Sequence, residues 1–308
     1  MLKQSQVINH KIMNILHTAL LFGGMLLLLA IIGYAVGGTT GLFWTSAVGL
    51  LFLIFGQQMS PQWVLRMHKG RPLHPHEAPR LYQIVQALTR RAKLAHTPHL
   101  YLIPNDITNA FTVGTGDQAV IGITAGLLRH LNDREMVGVL AHEISHIKHN
   151  DMRVMGFAAM INRMTSLFAG IGQFLLFINL PLLLAGRATI SWLLIILLMA
   201  APMLSGLLQL ALSRTREFDA DLSAVRLTGD AIGMAQALQK LEYAQANMIR
   251  LLLPGYRAPE SDVFRTHPNM GERIERIMKV AVELPRREWL PPNQAVNPNW
   301  YITSGLHS

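Results

Sequence analysis

Four stretches of the chain, residues 14–37, 41–59, about 164–184 and 190–212, contain no Asp, Glu, Lys or Arg. Each is rich in Leu, Ile, Ala and Phe. Around 20 such residues, rising 1.5 Å apiece as a helix, cross the roughly 30 Å hydrocarbon core of a bilayer. A charge at mid-bilayer costs roughly 2.5–3.5 kcal/mol on insertion scales, so four clean runs restrict the fold severely. Lipid offers no partner to backbone N–H and C=O groups, so these segments must be helical. Charged residues make up 15% of the 308, against about 25% in an ordinary soluble domain. A cleaved signal peptide is the competing reading of the first run, given Ala35-Val36-Gly37. That run is too long, and a second follows at once. A helical pair buried in a large soluble core competes for the second hairpin.

Charge fixes an orientation. Lys3 and Lys11 precede the first pair of runs, and Arg66, Lys69 and Arg71 follow it. The turn at 38–40 carries no Lys or Arg, so both flanks are expected in the cytoplasm. The net charge of +9 raises nucleic acid as a partner. The basic residues form no compact cluster with interleaved aromatics, and anionic membrane lipid is the simpler partner. Gly33 and Gly37 make a GxxxG pattern of close helix packing. Pro202 is expected to kink the last run.

Between the hairpins, residues 60–153 have globular composition. A helix is expected over 75–93, with Leu81, Ile84, Val85 and Leu88 on one side. Three β-like runs follow at 99–103, 109–113 and 119–124, separated by turns at 104–106 and 114–117. A phosphate loop at Gly114 lacks the lysine and helix start it would need. A short helix covers 125–130. Beyond 213 the pattern gives helices over 214–227, 231–249 and 271–282, a loop over 254–268, and a tail from Pro285 rich in Pro and Asn. The fold class is mainly α with a small β-sheet. The chain divides into an N-terminal transmembrane hairpin (1–59), a section with the sheet (60–153), a second hairpin (154–212) and a cytoplasmic helical section (213–308).

One motif carries chemistry. His142-Glu143-Ile144-Ser145-His146 puts two imidazoles four residues apart, on one helical face. H-E-x-x-H is a zinc-binding pattern in which the glutamate serves as general base. Asn132 and Glu135 have the spacing of a capping box at the start of that helix. The competing reading is a buried, hydrogen-bonded histidine pair. With no cysteine in the chain, a metal must take His, Asp or Glu. Catalytic zinc wants a third protein ligand, on the same side of the membrane. Two crossings after His146 return the chain to that side at Ser213. There Glu217 can ligate, while Asp221, four residues on, can accept an N–H from a ligating histidine. A solvated charge run is the plain alternative. His149 lies seven residues, about 10 Å, along the helix from His142, too far to share one ion. It reads as surface or as support for the ligands.

In these features the chain resembles the HtpX-type membrane zinc metalloproteases, relatives of the type I CaaX prenyl proteases. The residues that carry the likeness are His142-Glu143-x-x-His146, Ser213-Arg214-x-x-Glu217-x-x-Ala220-Asp221, Asn109-Ala110-Phe111 and Thr266-His267-Pro268. The chain departs from the pattern at Thr112, where Ala is common, and at Asn269, where a second Pro is common. The resemblance implies a zincin-like domain integrated with about four transmembrane helices, in a bacterial inner membrane, with its active site facing the cytoplasm. It implies one zinc ion held by His142, His146 and Glu217. It implies that Asn109 lies on the strand that receives substrate, and that His267 and Arg273 stand near the reaction centre. Polypeptide substrates follow, either unfolded segments or damaged membrane proteins. Prenyl-protein processing is the alternative activity. A channel or transporter would place ionisable groups inside the spans, where only His17 titrates. An inactive metal-holding scaffold would not need Glu143.

Overall fold

The computed structural model describes residues 2–55, 60–187, 190–252 and 270–283. The loop around His267 and the tail from Pro285 lie outside them. The chain divides into two compact units. One contains the N-terminal helix and residues 153–215. The other runs from 58 to 152 and resumes at Arg216.

In the first unit, α1 (Leu2–Phe55) breaks at Gly37 and Gly38, where φ, ψ are −138°, 19° and 58°, −142°. The second pair of angles lies where only glycine sits without strain. The two arms then fold against one another. A Cβ on Gly33 would fall 2.0 Å from the Thr45 hydroxyl, and one on Gly41 would fall 2.1 Å from the Gly33 carbonyl. Gly33 is therefore a close-packing residue as its spacing implies. Its partners are Gly41 and Thr45, however, while Gly37 serves the turn. Most of two further apolar helices, α6 (Asp151–Leu184) and α7 (Trp192–Thr228), belongs to this unit, α7 up to Thr215. Asn179 joins their loop by donating to the Ile190 carbonyl and accepting from its N–H. Among the described residues, three helices are long and apolar enough to cross a membrane, and the first is the bent one. Large apolar side chains point outward along them, including Leu20, Leu27, Phe174, Phe177, Leu184 and Leu193. In water that arrangement would be costly; in lipid it costs nothing.

Boundaries differ from the sequence reading in one informative way. Composition predicts separate helices for the apolar run and for the charged segment after Ser213. Instead α7 passes from one into the other without interruption, with Pro202 inside it. Ser213-Arg214-Thr215 holds no glycine or proline, so nothing stops the helix there. Likewise α6 begins at Asp151, well before its apolar run.

The second unit is built on a four-stranded sheet in the order β1-β2-β4-β3. Its strands are β1 (Arg71–Pro72), β2 (His99–Ile103), β3 (Ala110–Val113) and β4 (Val120–Thr124). β2 and β4 run parallel; β1 and β3 pair antiparallel at the two edges. The period-two alternation sorts side chains cleanly. Leu100, Leu102, Ile121 and Ile123 enter the main core with α3 (Pro79–Ala92) and α5 (Asp133–His149). Ile103 and Val120 face the other way, onto Leu65 of α2 (Pro61–Met67). The Phe111 ring lies over Gly122, 2.7 Å from where a Cβ would stand, so a side chain there would displace the ring. The segment 114–117 is a turn, with Gly114 at φ 81° and a single 3-10 turn over Gly116–Gln118. The short helix α4 (Ala125–His130) then leads into α5.

α5 is the centre of this unit. Its N-terminus has the expected capping box. Asn132 accepts from the Glu135 N–H at 3.0 Å, and Glu135 accepts from the Asn132 N–H at 2.9 Å. From Glu135 to Ile147 every residue is buried. α8 (Ala231–Leu252) approaches so closely that a Cβ on Gly138 would lie 3.2 Å from the Met234 backbone. Arg134 forks onto Asp230, which also caps α8 through the Gly233 N–H. α9 (Met270–Glu283) adds Ile277 to the same core.

Candidate metal centre and active site

His142 and His146 lie one turn apart on α5, ring centroids 4.6 Å apart and edge-on. Their Nε2 atoms face each other at 3.0 Å. Glu217, on α7, brings its carboxylate to both: Oε2 is 3.6 Å from Nε2 of His142 and Oε1 is 3.8 Å from Nε2 of His146. Among the described residues, these three form the one group of His, Asp or Glu able to hold a metal ion. All belong to the same compact unit. Glu143, buried beside His142, completes the motif. Its Oε2 accepts a hydrogen bond from the Thr112 hydroxyl at 2.7 Å.

The donor chemistry fits a cation. Asp221 Oδ1 stands 3.0 Å from Nδ1 of His142, and Asp151 Oδ2 stands 2.7 Å from Nδ1 of His146. The Asp221 oxygen is near enough, although set off the line of the ring N–H. A carboxylate at Nδ1 keeps the proton on that nitrogen and turns the Nε2 lone pair outward. Two lone pairs and a carboxylate then converge on one small space. Nitrogen and oxygen ligands at about 2.0–2.2 Å from a tetrahedral ion stand roughly 3.3–3.5 Å apart, close to the separations seen. Burial pulls the pKa of His146 down, but the hydrogen bond to Asp151 and the charges of Glu143, Glu217 and Asp151 outweigh it and raise it to about 9.

Each aspartate is itself held. Arg273 donates from Nε and Nη2 to the two oxygens of Asp221, both at 2.7 Å, and lies 3.3 Å from Glu217. Burial works against its charge, yet Asp221 and Glu217 raise its pKa above the ordinary arginine value. α9, which carries it, is further attached where Arg276 stacks 3.7 Å over the Phe218 ring. Arg216 holds Asp151 through Nε and Nη2 and lies 3.6 Å from Asp219.

The structure thus brings together His142, Glu143, His146, Glu217, Asp221 and Arg273 among the residues singled out from sequence. Asn109 immediately precedes edge strand β3. Its backbone N–H and carbonyl bond the Thr124 hydroxyl, and its side chain is exposed. His149 stays out of the group, with Nε2 3.5 Å from the Ser223 hydroxyl. His267 lies outside the described residues. Three participants escape sequence reasoning in their places: Asp151, Arg216 and Thr112. Of these, Thr112 stands out in the sequence only as a departure from the family pattern.

Comparison with known proteins agrees with this geometry. Residues 75–281 match peptidase family M48. A protease HtpX homolog of Acaryochloris marina is 36% identical over 293 residues, spanning 89% of this chain and 97% of its own length. The homolog of Burkholderia ambifaria is 33% identical over 289 residues, covering 87% and 97%. That of Pelotomaculum thermopropionicum is 34% identical over 284 residues, covering 88% and 100%. With its apolar helices and the His-His-Glu group, the chain belongs to peptidase family M48 and is a membrane metalloprotease of the HtpX type.

Proposed function

We propose that the protein is a gluzincin-type zinc endopeptidase that cuts unfolded or damaged membrane proteins at the cytoplasmic face of a bacterial inner membrane. His142, His146 and Glu217 would hold one zinc ion. The observation that carries the reading is the convergence of three metal-ligating side chains, whose nearest donor atoms approach to 3.0–3.8 Å, beside the buried Glu143. Zinc, when bound, supplies a water of pKa about 7 and a Lewis-acid pull on the scissile carbonyl. Glu143 accepts the proton of the attacking water and returns it to the leaving amine. Asp221 and Asp151 orient the histidine rings, and Arg273 neutralises the acids around Glu217.

Substrate would enter as an extended strand. β3 is the last strand of the sheet, so a peptide can add along its outer edge. Asn109 stands at the start of that edge, and His267 would serve the oxyanion. Edge pairing asks for main chain free to bond, which favours unfolded or flexible segments over folded ones. The two hairpins, 1–59 and 154–212, would anchor the sections 60–153 and 213–308 at one membrane face.

Two variants test this. Glu143→Gln is expected to keep zinc and lose casein cleavage. Glu217→Ala is expected to lose zinc as measured by metal analysis of the purified protein. Full proteolysis in Glu143→Gln would end the assignment. Labelling of positions 150 and 215 from opposite sides of the bilayer would end the orientation.

A further inference from the structure

Thr112 sits at the third position of β3, with its hydroxyl directed at the carboxylate of Glu143. Oγ1 is 2.7 Å from Oε2 and 3.4 Å from the Glu143 backbone oxygen. Thr112 is 6% exposed and Glu143 7%. In both contacts the hydroxyl donates and the glutamate oxygen accepts. At 2.7 Å the contact to Oε2 is a well-formed O–H···O hydrogen bond, and the 3.4 Å contact is the weaker of the two.

Both ends of this bond are rigid. Thr112 pairs with Ile121 in the antiparallel ladder between β3 and β4, and its β-branched side chain has little freedom at χ1. Glu143 is fixed at its backbone in the middle of α5. Between them lies the glutamate side chain, with three rotatable bonds. A base on so flexible a stem loses time in unproductive orientations unless something holds it. Sheet and helix come within reach of each other here, and the Thr112 hydroxyl is the group that spans the gap.

We propose that Thr112 is a positioning residue for Glu143. Its hydroxyl holds Oε2 and leaves the other carboxylate oxygen to exchange the proton. This rests on the reading of Glu143 as the general base. Because the Thr112 side chain bonds the base and not the peptide, its loss should lower kcat and spare KM. It also ties the base to the strand along which substrate would lie, so the strand that receives the peptide is also the one that aims the base.

The test uses the full chain in detergent, with unfolded casein as substrate. Thr112→Val keeps shape and β-branching and removes only the hydroxyl. It is expected to reduce kcat roughly tenfold or more, with KM within about twofold and zinc content unchanged. Thr112→Ser restores the hydroxyl and should recover most of the rate. A Thr112→Val protein with wild-type kcat would overturn the proposal. So would an equal loss in Thr112→Ser with zinc and melting temperature intact, since the hydroxyl would then not be the cause. Should Thr112→Val fail to fold, Thr112→Ala and Thr112→Ser decide: a slow alanine variant beside a fast serine variant supports the role, and equal rates remove it. Glu143→Gln, run in parallel, separates the two levels. If it is inactive while Thr112→Val is fast, only the positioning role falls. If it cleaves normally, the base assignment falls first.

Discussion

The two histidines proposed to hold the metal are supported alike and built differently. Behind His142 stand Asp221 and Arg273; behind His146 stand Asp151 and Arg216. Each chain runs imidazole, carboxylate, guanidinium. The first is drawn from long elements: Asp221 lies one turn beyond Glu217 on α7, and Arg273 arrives from α9. The second is local. Asp151 is five residues past His146, and only a break in the helix brings it back to the ring. The difference shows that one centre can be braced by two routes. One depends on distant parts of the chain meeting. The other depends on the backbone angles of a single residue.

The distant route should fail harder. Asp221 is 2% exposed, and Arg273, its partner, 4%. Asp221→Ala would strip the buried Arg273 guanidinium of its two short hydrogen bonds and leave it only the charges of Glu217 and Glu143. Removing one member of a buried pair costs about 3–5 kcal/mol, because the other charge stays behind. We expect a larger fall in melting temperature than any substitution at Asp151 or Asn150 causes, together with zinc loss. A variant that melts like the wild type would erase the contrast between the two supports.

The local route should cost affinity more than stability. Asp151→Asn keeps the shape and weakens the hold on Nδ1 of His146. Outer partners of metal ligands typically contribute 10- to 100-fold in metal affinity. Arg216 still has Asp219 within 3.6 Å, so its charge is not stranded. Chelator competition should therefore show zinc bound roughly tenfold or more weakly, with a melting temperature of the zinc-free protein close to wild type. Equal stability losses in Asp151→Asn and Asp221→Ala would mean that the two supports are one network.

The same contrast explains what the sequence can disclose. Residues at i and i+4 share a helical face, so His142 with His146 and Glu217 with Asp221 can be paired from spacing alone. The capping box at Asn132 and Glu135 is equally plain, as are the uncharged runs, because each depends on neighbours in the chain. Asp151 follows another rule. Five residues along an unbroken helix place a side chain roughly 140° around the axis from where it began. Periodicity therefore points Asp151 away from His146. Thr112 and Glu143 are 31 residues apart, and their meeting depends on how β3 lies beside α5. Arg216 likewise reaches Asp151 across 65 residues. No local pattern encodes such contacts. The continuity of α7 through Ser213 is hidden for a related reason: a change from apolar to charged composition marks a change of solvent, not the end of a helix.

The smallest effect expected tests the hinge of the local route. Asn150 ends α5 at φ 55°, ψ 36°, the left-handed conformation, and Asp151 starts α6 immediately after. Asparagine tolerates that geometry and glycine adopts it freely, whereas for alanine the Cβ costs roughly 1 kcal/mol. Asn150→Gly should therefore resemble the wild type in melting temperature and zinc affinity. Asn150→Ala should lower stability by about 1 kcal/mol. Any drift of the break toward a continuous helix would swing Asp151 off the His146 ring, so its zinc affinity should fall in the direction of Asp151→Asn. Neither substitution alters His142, His146, Glu217 or the aspartates behind the two rings. If Asn150→Ala melts earlier yet binds zinc as tightly as Asn150→Gly, the left-handed residue serves the helix end alone, and Asp151 is held in place by Arg216.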